Sequence, residues 1–257
     1  MRRYIYSPDK HVGFENKNKH KVPLHDEKAI NCMMSFAKTF KPNIWIEGGD
    51  NLDCGPVSHW LKDRHKAKKD LDLKKDCLTY EKLVVEPVNA LSSVTEKWWM
   101  IGNHEDWVQD VIEANPGLED ALGWKTLIPS LKNWKIVEQG GFISLGKYLR
   151  FIHGDTLTGT SNVTNNAAQK YKNSIRFGHF HSYQVATRYN PFDNNDVNTA
   201  IMVPGLCRKN PNYLQGKPNQ WLQGFLYGYV EDDGTFHDNV ALIINGRTVI
   251  DGKVYTG

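Results

Sequence analysis

The chain has no CxxC cysteine pair, no apolar run near the ~18 residues a membrane helix needs, and no marked excess of either charge. Each absence excludes a class of protein. The four cysteines, Cys32, Cys54, Cys77 and Cys207, match no zinc-finger or disulfide-framework spacing. The N-terminal MRRYIYSPDK turns polar too early for a secretory signal, so reduced, buried thiols in a cytoplasmic protein are expected. With 32 basic and 29 acidic residues, the net charge of +3 neither demands a nucleic-acid partner nor excludes one. No phosphate-binding GxxxxGK[ST] loop, GxSxG nucleophile elbow or GxGxxG dinucleotide turn is present. His104-Glu105 opens an HExxH pattern, but Val108 stands where the second histidine would be needed. Internal repeats and low-complexity tracts are also missing.

Histidine, by contrast, is abundant, with ten in 257 residues. Their setting follows from the pattern of short apolar runs. Arg2–Ser7, Asn43–Glu47, Lys97–Ile101, Lys135–Val137, Phe142–Leu145, Tyr148–Ile152, Ser174–Phe177 and Ala200–Val203 read as strands. Ile30, Met33, Met34 and Ala37 recur at helical spacing, which predicts an amphipathic helix over residues 26–40 that ends before Pro42. Further helices are predicted from Trp107 to Ala114 and over Asn166–Lys172. Residues 57–92 read as a mostly helical insertion whose segment Lys62–Lys75 is rich in lysine. Such a run is usually a solvated face, with contact to a phosphate backbone as the functional alternative. The tail 224–257 reads as a meander of three strands, with hairpin turns at Asp233-Gly234 and Asn245-Gly246. Strands that first alternate with helices and then follow in series predict a single α/β domain with mixed sheets.

Five short motifs each follow a strand-like run. They are Asp9-Lys10-His11, Gly49-Asp50-Asn51-Leu52-Asp53, Gly102-Asn103-His104-Glu105, His153-Gly154-Asp155 and Gly178-His179-Phe180-His181. In α/β sheets, sites form outside the carboxyl ends of strands, so the five motifs can converge on one point. Carboxylate, imidazole and amide oxygen together suit borderline divalent metals, and one carboxylate can bridge two ions. On a strand, Asp-x-His and His-x-His would send both ligands to the same face. Bland readings stand beside these. Asp53 and Glu105 could simply cap or charge a helix start, and Asp155 could hold a loop. His20, His25, His65 and His237 sit in ordinary polar contexts. His59 lies close enough to the second motif to line a site, although surface exposure fits it better. Trp98, Trp99, Trp107, Trp124 and Trp134 lie in or beside apolar runs and read as core.

In its five motifs, taken in order as DKH, GDNLD, GNHE, HGD and GHFH, the chain resembles the calcineurin-like metallophosphoesterases. The resemblance spans residues 9–181. It implies a four-layer α/β/β/α sandwich with two mixed β-sheets and a pair of divalent ions. Manganese is the first choice, and iron, zinc, cobalt or nickel would also suit the donors. One ion would be held by Asp9, His11, Asp50 and His181, the other by Asp50, Asn103, His153 and His179. His104 matches the catalytic histidine of the family, and Asp53 the carboxylate that orients it. The implied reaction is phosphoester hydrolysis by a metal-activated hydroxide, with His104 as general acid. Asp53 should then raise the pKa of His104. Protein phosphatases of the family carry an arginine after GD-x-x-D, where this chain has Cys54. A diester has one charge less than a monoester dianion and needs that arginine less. Together with GHFH, this favours a phosphodiesterase acting on DNA, RNA or a nucleotide. A phosphomonoesterase and a non-catalytic binding fold are the alternatives.

Overall fold

A computed structural model describes residues 1–17, 20–159, 162–189, 191–192 and 197–257. The chain opens with β1 (Arg2–Ser7), the hairpin β2 (Phe14–Lys17) and β3 (His20–Pro23), then α1 (Glu27–Phe40) and β4 (Ile44–Glu47). Helical pieces α2 (His65–Lys68), α3 (Leu73–Tyr80) and α4 (Glu86–Asn89) lead to β5 (Glu96–Met100) and α5 (Asn103–Ala114). The short α6 (Glu119–Leu122) and α7 (Trp124–Leu127) precede β6 (Lys135–Val137), β7 (Ile143–Leu145) and β8 (Leu149–Phe151). After α8 (Val163–Lys170) come β9 (Ser174–Phe177), β10 (Gln184–Tyr189), β11 (Val197–Met202), β12 (Gln223–Val230), β13 (Phe236–Ile243), β14 (Arg247–Ile250) and β15 (Lys253–Thr256).

Two mixed sheets organise these elements. The first runs β13-β12-β1-β4-β5-β6, and β1, β4, β5 and β6 are mutually parallel. The second runs β10-β11-β9-β8-β7 and is parallel across β11, β9 and β8. Alternation along β1 sorts its side chains. Ile5 joins Trp45, Trp99 and the apolar face of α1 in one core. Tyr4 and Tyr6 join Ile44, Ile46 and the inward residues Ile143, Leu145, Leu149 and Phe151 of the second sheet. Val163, Ala167 and Ala168 of α8 cover Ile175, Phe177, Ala200 and Met202 on the far face of that sheet. Burial on both faces explains why β4 reads as an unbroken apolar run closed by Glu47. Asp26 caps α1 by accepting from Ala29 N at 3.1 Å, and Lys41 stops the helix in a left-handed conformation.

Several expected boundaries move. Helix α5 begins at Asn103 instead of Trp107, because the Glu105 carboxylate folds back and accepts from the Gly102 N–H at the helix start. Helix α8 starts three residues earlier than expected. Segment 57–92 is helical only in pieces: Asp72 caps a new start at α3, and a π-helical turn, Glu81–Val85, sits just before Pro87. Proline has no N–H to continue regular α bonding, which accounts for the break. The tail holds four strands instead of three, since Asp251-Gly252 makes a further hairpin turn with both residues at positive φ. The hairpin β2–β3 and the strand β10 were not anticipated. No helix among the described residues is long and apolar enough to cross a membrane.

Candidate metal centre

The five motifs leave the carboxyl ends of neighbouring parallel strands. Asp9 and His11 follow β1, Asp50 and Asp53 follow β4, and Asn103 and His104 follow β5. His153 follows β8, and His179 and His181 follow β9, in the sheet packed opposite. Main-chain hydrogen bonds hold the loops in register: Asp9 N to Gly49 O (3.0 Å), His11 N to Asp50 O (2.9 Å) and Gly178 N to His153 O (2.8 Å). The two sheets are tied at the site itself, where His179 N donates to Asp9 Oδ2 at 2.8 Å.

The backbone achieves convergence in an unexpected way. Asp9 and His11 do not share a strand face; both adopt left-handed conformations, with φ of 52° and 45°. Asp50 (49°), His179 (67°) and His181 (57°) do the same. Such conformations cost about 1–3 kcal/mol each for residues with a side chain, and they persist only where the surroundings impose them. Five strained positions among seven candidate ligands concentrate that cost at one place. Glycine is obligatory at two contacts. A Cβ on Gly102 would collide with the backbone and carboxylate of Asp50, and one on Gly178 with Asp9 Oδ2.

Ligand atoms gather in two adjoining groups. Asp9, His11 and His181 form one, and Asp50, His153 and His179 the other, each with its atoms within 4.8 Å of one another. A third overlapping group joins His11, Asp53 and His104. Asp50 lies between: its Oδ2 is 3.3 Å from His153 Nε2, 3.8 Å from His11 Nε2 and 4.0 Å from His104 Nε2. His11 Nε2 and His181 Nε2 face each other at 3.3 Å, and Asn103 Oδ1 lies 3.1 Å from His153 Nε2. Asp9 Oδ1 and His179 Nδ1 are buried without a hydrogen-bond partner. An orphaned carboxylate oxygen beside imidazole nitrogens aimed at one another is what divalent cations would satisfy. The donor set therefore fits two ions.

Without a cation, the crowded buried carboxylates and imidazoles shift one another's titration. Burial pushes the Asp9 carboxyl up to about 7, with Asp50 adding to the rise. Burial also works against ionised Asp50, yet His153 and His104 outweigh it and hold its carboxyl well below the usual range. Burial would lower His153 and His11, but Asp50 lifts the former to about 10 and Asp53 and Asp50 the latter to about 9. His179 falls to about 4 through burial and the neighbouring His153.

His104 and Asp53 meet differently from expectation. His104 Nδ1 donates to the Asp53 main-chain carbonyl at 2.8 Å. The Asp53 carboxylate lies 3.7 Å from that nitrogen and only 3.4 Å from His11 Nδ1. Burial lowers the pKa of His104, against the rise expected from Asp53, because desolvation outweighs the nearby carboxylates. The ring lies on Trp107, with centroids 4.0 Å apart. His59 is exposed at the edge of the same tryptophan, 5.0 Å from it.

Three contributors escaped the sequence reading. Glu105, read as a first-turn carboxylate, is fully buried and accepts from Asp50 N, Gly102 N and Leu52 N at 2.8–2.9 Å. Its signal was the spacing Gly102-x-x-Glu105. Cys207 Sγ lies 3.1 Å from His181 Nδ1, and Trp221 stacks on the same imidazole at 4.0 Å. Both come from distant sequence with no local pattern to mark them. His25, read as ordinary, is buried, and its Nδ1 accepts from Gly13 N. All four cysteines are free and buried.

No protein-family model matches the chain, and no curated protein matches it. Among solved structures, the chain is similar to Vps29 of Chaetomium thermophilum at 9% identity and a TM-score of 0.41. The match covers 100% of this chain and 96% of that one. A likeness of that size decides neither fold family nor function.

Proposed function

We propose that the chain is a metal-dependent phosphodiesterase, a nuclease or nucleotide phosphodiesterase, built as a four-layer α/β/β/α sandwich. The observation that carries this reading is the buried Asp50 carboxylate between two ligand groups, with His104 alongside. Asp9, His11, Asp50 and His181 would hold one divalent ion, manganese being the first choice. Asp50, Asn103, His153 and His179 would hold the other. The chemistry such a pair supplies when bound is Lewis acidity toward phosphoryl oxygens and a nucleophile available at neutral pH. The protein supplies the remainder. His104 is fixed by donating Nδ1–H to the Asp53 carbonyl, so Nε2 faces the cluster. In its protonated form that nitrogen donates to the leaving oxygen. Trp107 backs the imidazole and keeps water from its face. Cys54 is fully buried, so the position after Asp53 offers no guanidinium for a monoester dianion.

The test compares two esters in Mn²⁺-supplemented protein. Bis-p-nitrophenyl phosphate should turn over faster than p-nitrophenyl phosphate. The opposite order would make the protein a phosphomonoesterase, and no turnover of either with metal bound would leave a binding fold. In the same assay His104→Ala should lower turnover by about 10²-fold or more while metal content, read by elemental analysis, stays at the wild-type level.

A further inference from the structure

Beside the metal centre runs a groove that the proposed chemistry does not use. Its volume is about 260 Å³, and it follows the outward face of β8 from Tyr171 and Lys172 to His153 and Asp155. Alternation explains its lining. Leu149 and Phe151 turn into the core between the sheets, so Arg150 turns the other way, next to Ile175 on β9. Phe142 forms a wall and is 61% exposed, an unusual cost for a bare phenyl ring. The Arg150 guanidinium lies 5.9 Å from the centre of that ring. Arg150 Nη1 donates to the carbonyls of Gly146 (3.3 Å) and Leu149 (3.1 Å), which anchors the side chain. A guanidinium has five N–H donors, so the remaining ones are available to an anion.

We propose that this groove binds one nucleotide of the substrate, the base stacking on Phe142 and a phosphate meeting Arg150 and Lys172. The inference rests on the phosphodiesterase reading and names its substrate class as a nucleotide diester. Three features select this occupant. The exposed phenyl offers the flat apolar face that any base can stack on. The cations complement a phosphate, and an arginine does so with directed donors. The groove adjoins the cluster at one shared residue, His153, whose Nε2 lies 3.3 Å from Asp50 Oδ2. A nucleotide seated here would therefore bring its neighbouring phosphodiester to the ligand groups. The volume suits a single nucleoside and excludes a duplex.

Binding can be read without any metal. Thymidine 5′-monophosphate is titrated into metal-free full-length protein by calorimetry. Saturable binding is expected, weakened roughly tenfold in Arg150→Ala, the factor one charge-assisted hydrogen bond supplies. Phe142→Ala, at an exposed position that the fold tolerates, should weaken it similarly, and Phe142→Trp should retain it. Absence of saturable binding, or wild-type affinity in both alanine variants, overturns the proposal. A second arm compares the p-nitrophenyl ester of thymidine 5′-monophosphate with bis-p-nitrophenyl phosphate in Mn²⁺-loaded protein. The nucleotide ester should have the lower KM, and Arg150→Ala should remove that advantage. Monophosphate binding without turnover of either ester would sink the phosphodiesterase reading and leave the groove standing. Turnover of bis-p-nitrophenyl phosphate without monophosphate binding would do the reverse.

Discussion

Residues at this site combine strained backbone with buried charge, and five of the seven candidate ligands are left-handed. The left-handed backbone at Asp9, His11, Asp50, His179 and His181 was not visible in the motifs, which suggested strand alternation. Residue types were legible; backbone conformation was not, because a left-handed residue is imposed by neighbours distant in sequence. Asp76 is a further buried carboxyl near this region. Burial, reinforced by Asp53, pushes Asp76 from its ordinary 3.8 to about 8. Its folded-state pKa is raised, so the stability tied to its proton is present below the unfolded value and is lost as pH rises through about 8. Asp76→Asn should therefore be more stable than the parent by about 2 kcal/mol at alkaline pH and little different near pH 4. Urea unfolding at the two pH values measures this; an equal difference at both would show that burial of the charge is not the cause.

Elements place these residues through their ends. The start of α5 does so most directly, since one side chain serves the helix and the neighbouring loop. Glu105 satisfies the N–H of Gly102 at the helix start and those of Asp50 and Leu52 in the loop after β4. It thereby holds the central carboxylate against the helix that presents Asn103 and His104. Glu105 was readable as a first-turn carboxylate, but the two donors from the other loop were not. Glu105→Ala should lower stability by about 3 kcal/mol or more, because three buried donors lose their acceptor. It should also release metal, although Glu105 is no candidate ligand. Melting temperature and metal stoichiometry measured together decide this, and wild-type values for both would refute the anchoring role.

Across the whole molecule, the three motif-bearing strands of the first sheet, β1, β4 and β5, are bound to the helical layer by one buried polar network. Lys10 lies between two candidate ligands, yet its ammonium turns inward and donates to Glu47 Oε2 at 2.6 Å and to Ser7 O and Oγ. Glu47 also accepts from Tyr80 OH and Trp45 Nε1, and Tyr80 OH accepts from Trp99 Nε1. Strands β1, β4 and β5 and helix α3 are thus linked at one ion pair with no exposure of either side chain. Removing one partner leaves a buried uncompensated charge. Lys10→Met should cost about 3–5 kcal/mol, and adding Glu47→Gln should restore part of it. Chemical denaturation of the two variants tests this, and additive losses would argue against direct coupling.

The sequence by itself determined the candidate donor residues, the strand-end placement of the motifs and the mixed α/β class. These depend on residue type and on apolar periodicity, both of which are local. The tertiary structure alone decided which atoms meet. It put Asp50 between the ligand groups, turned the Asp53 carboxylate toward His11 while its carbonyl took His104, and brought Cys207 and Trp221 onto His181. It also divided the insertion and added a strand to the tail. Those outcomes come from packing two sheets together and from hydrogen bonds between residues distant in sequence, such as His179 N to Asp9 Oδ2, 170 positions apart. No local pattern encodes such contacts, because each partner is specified only once the other is in place.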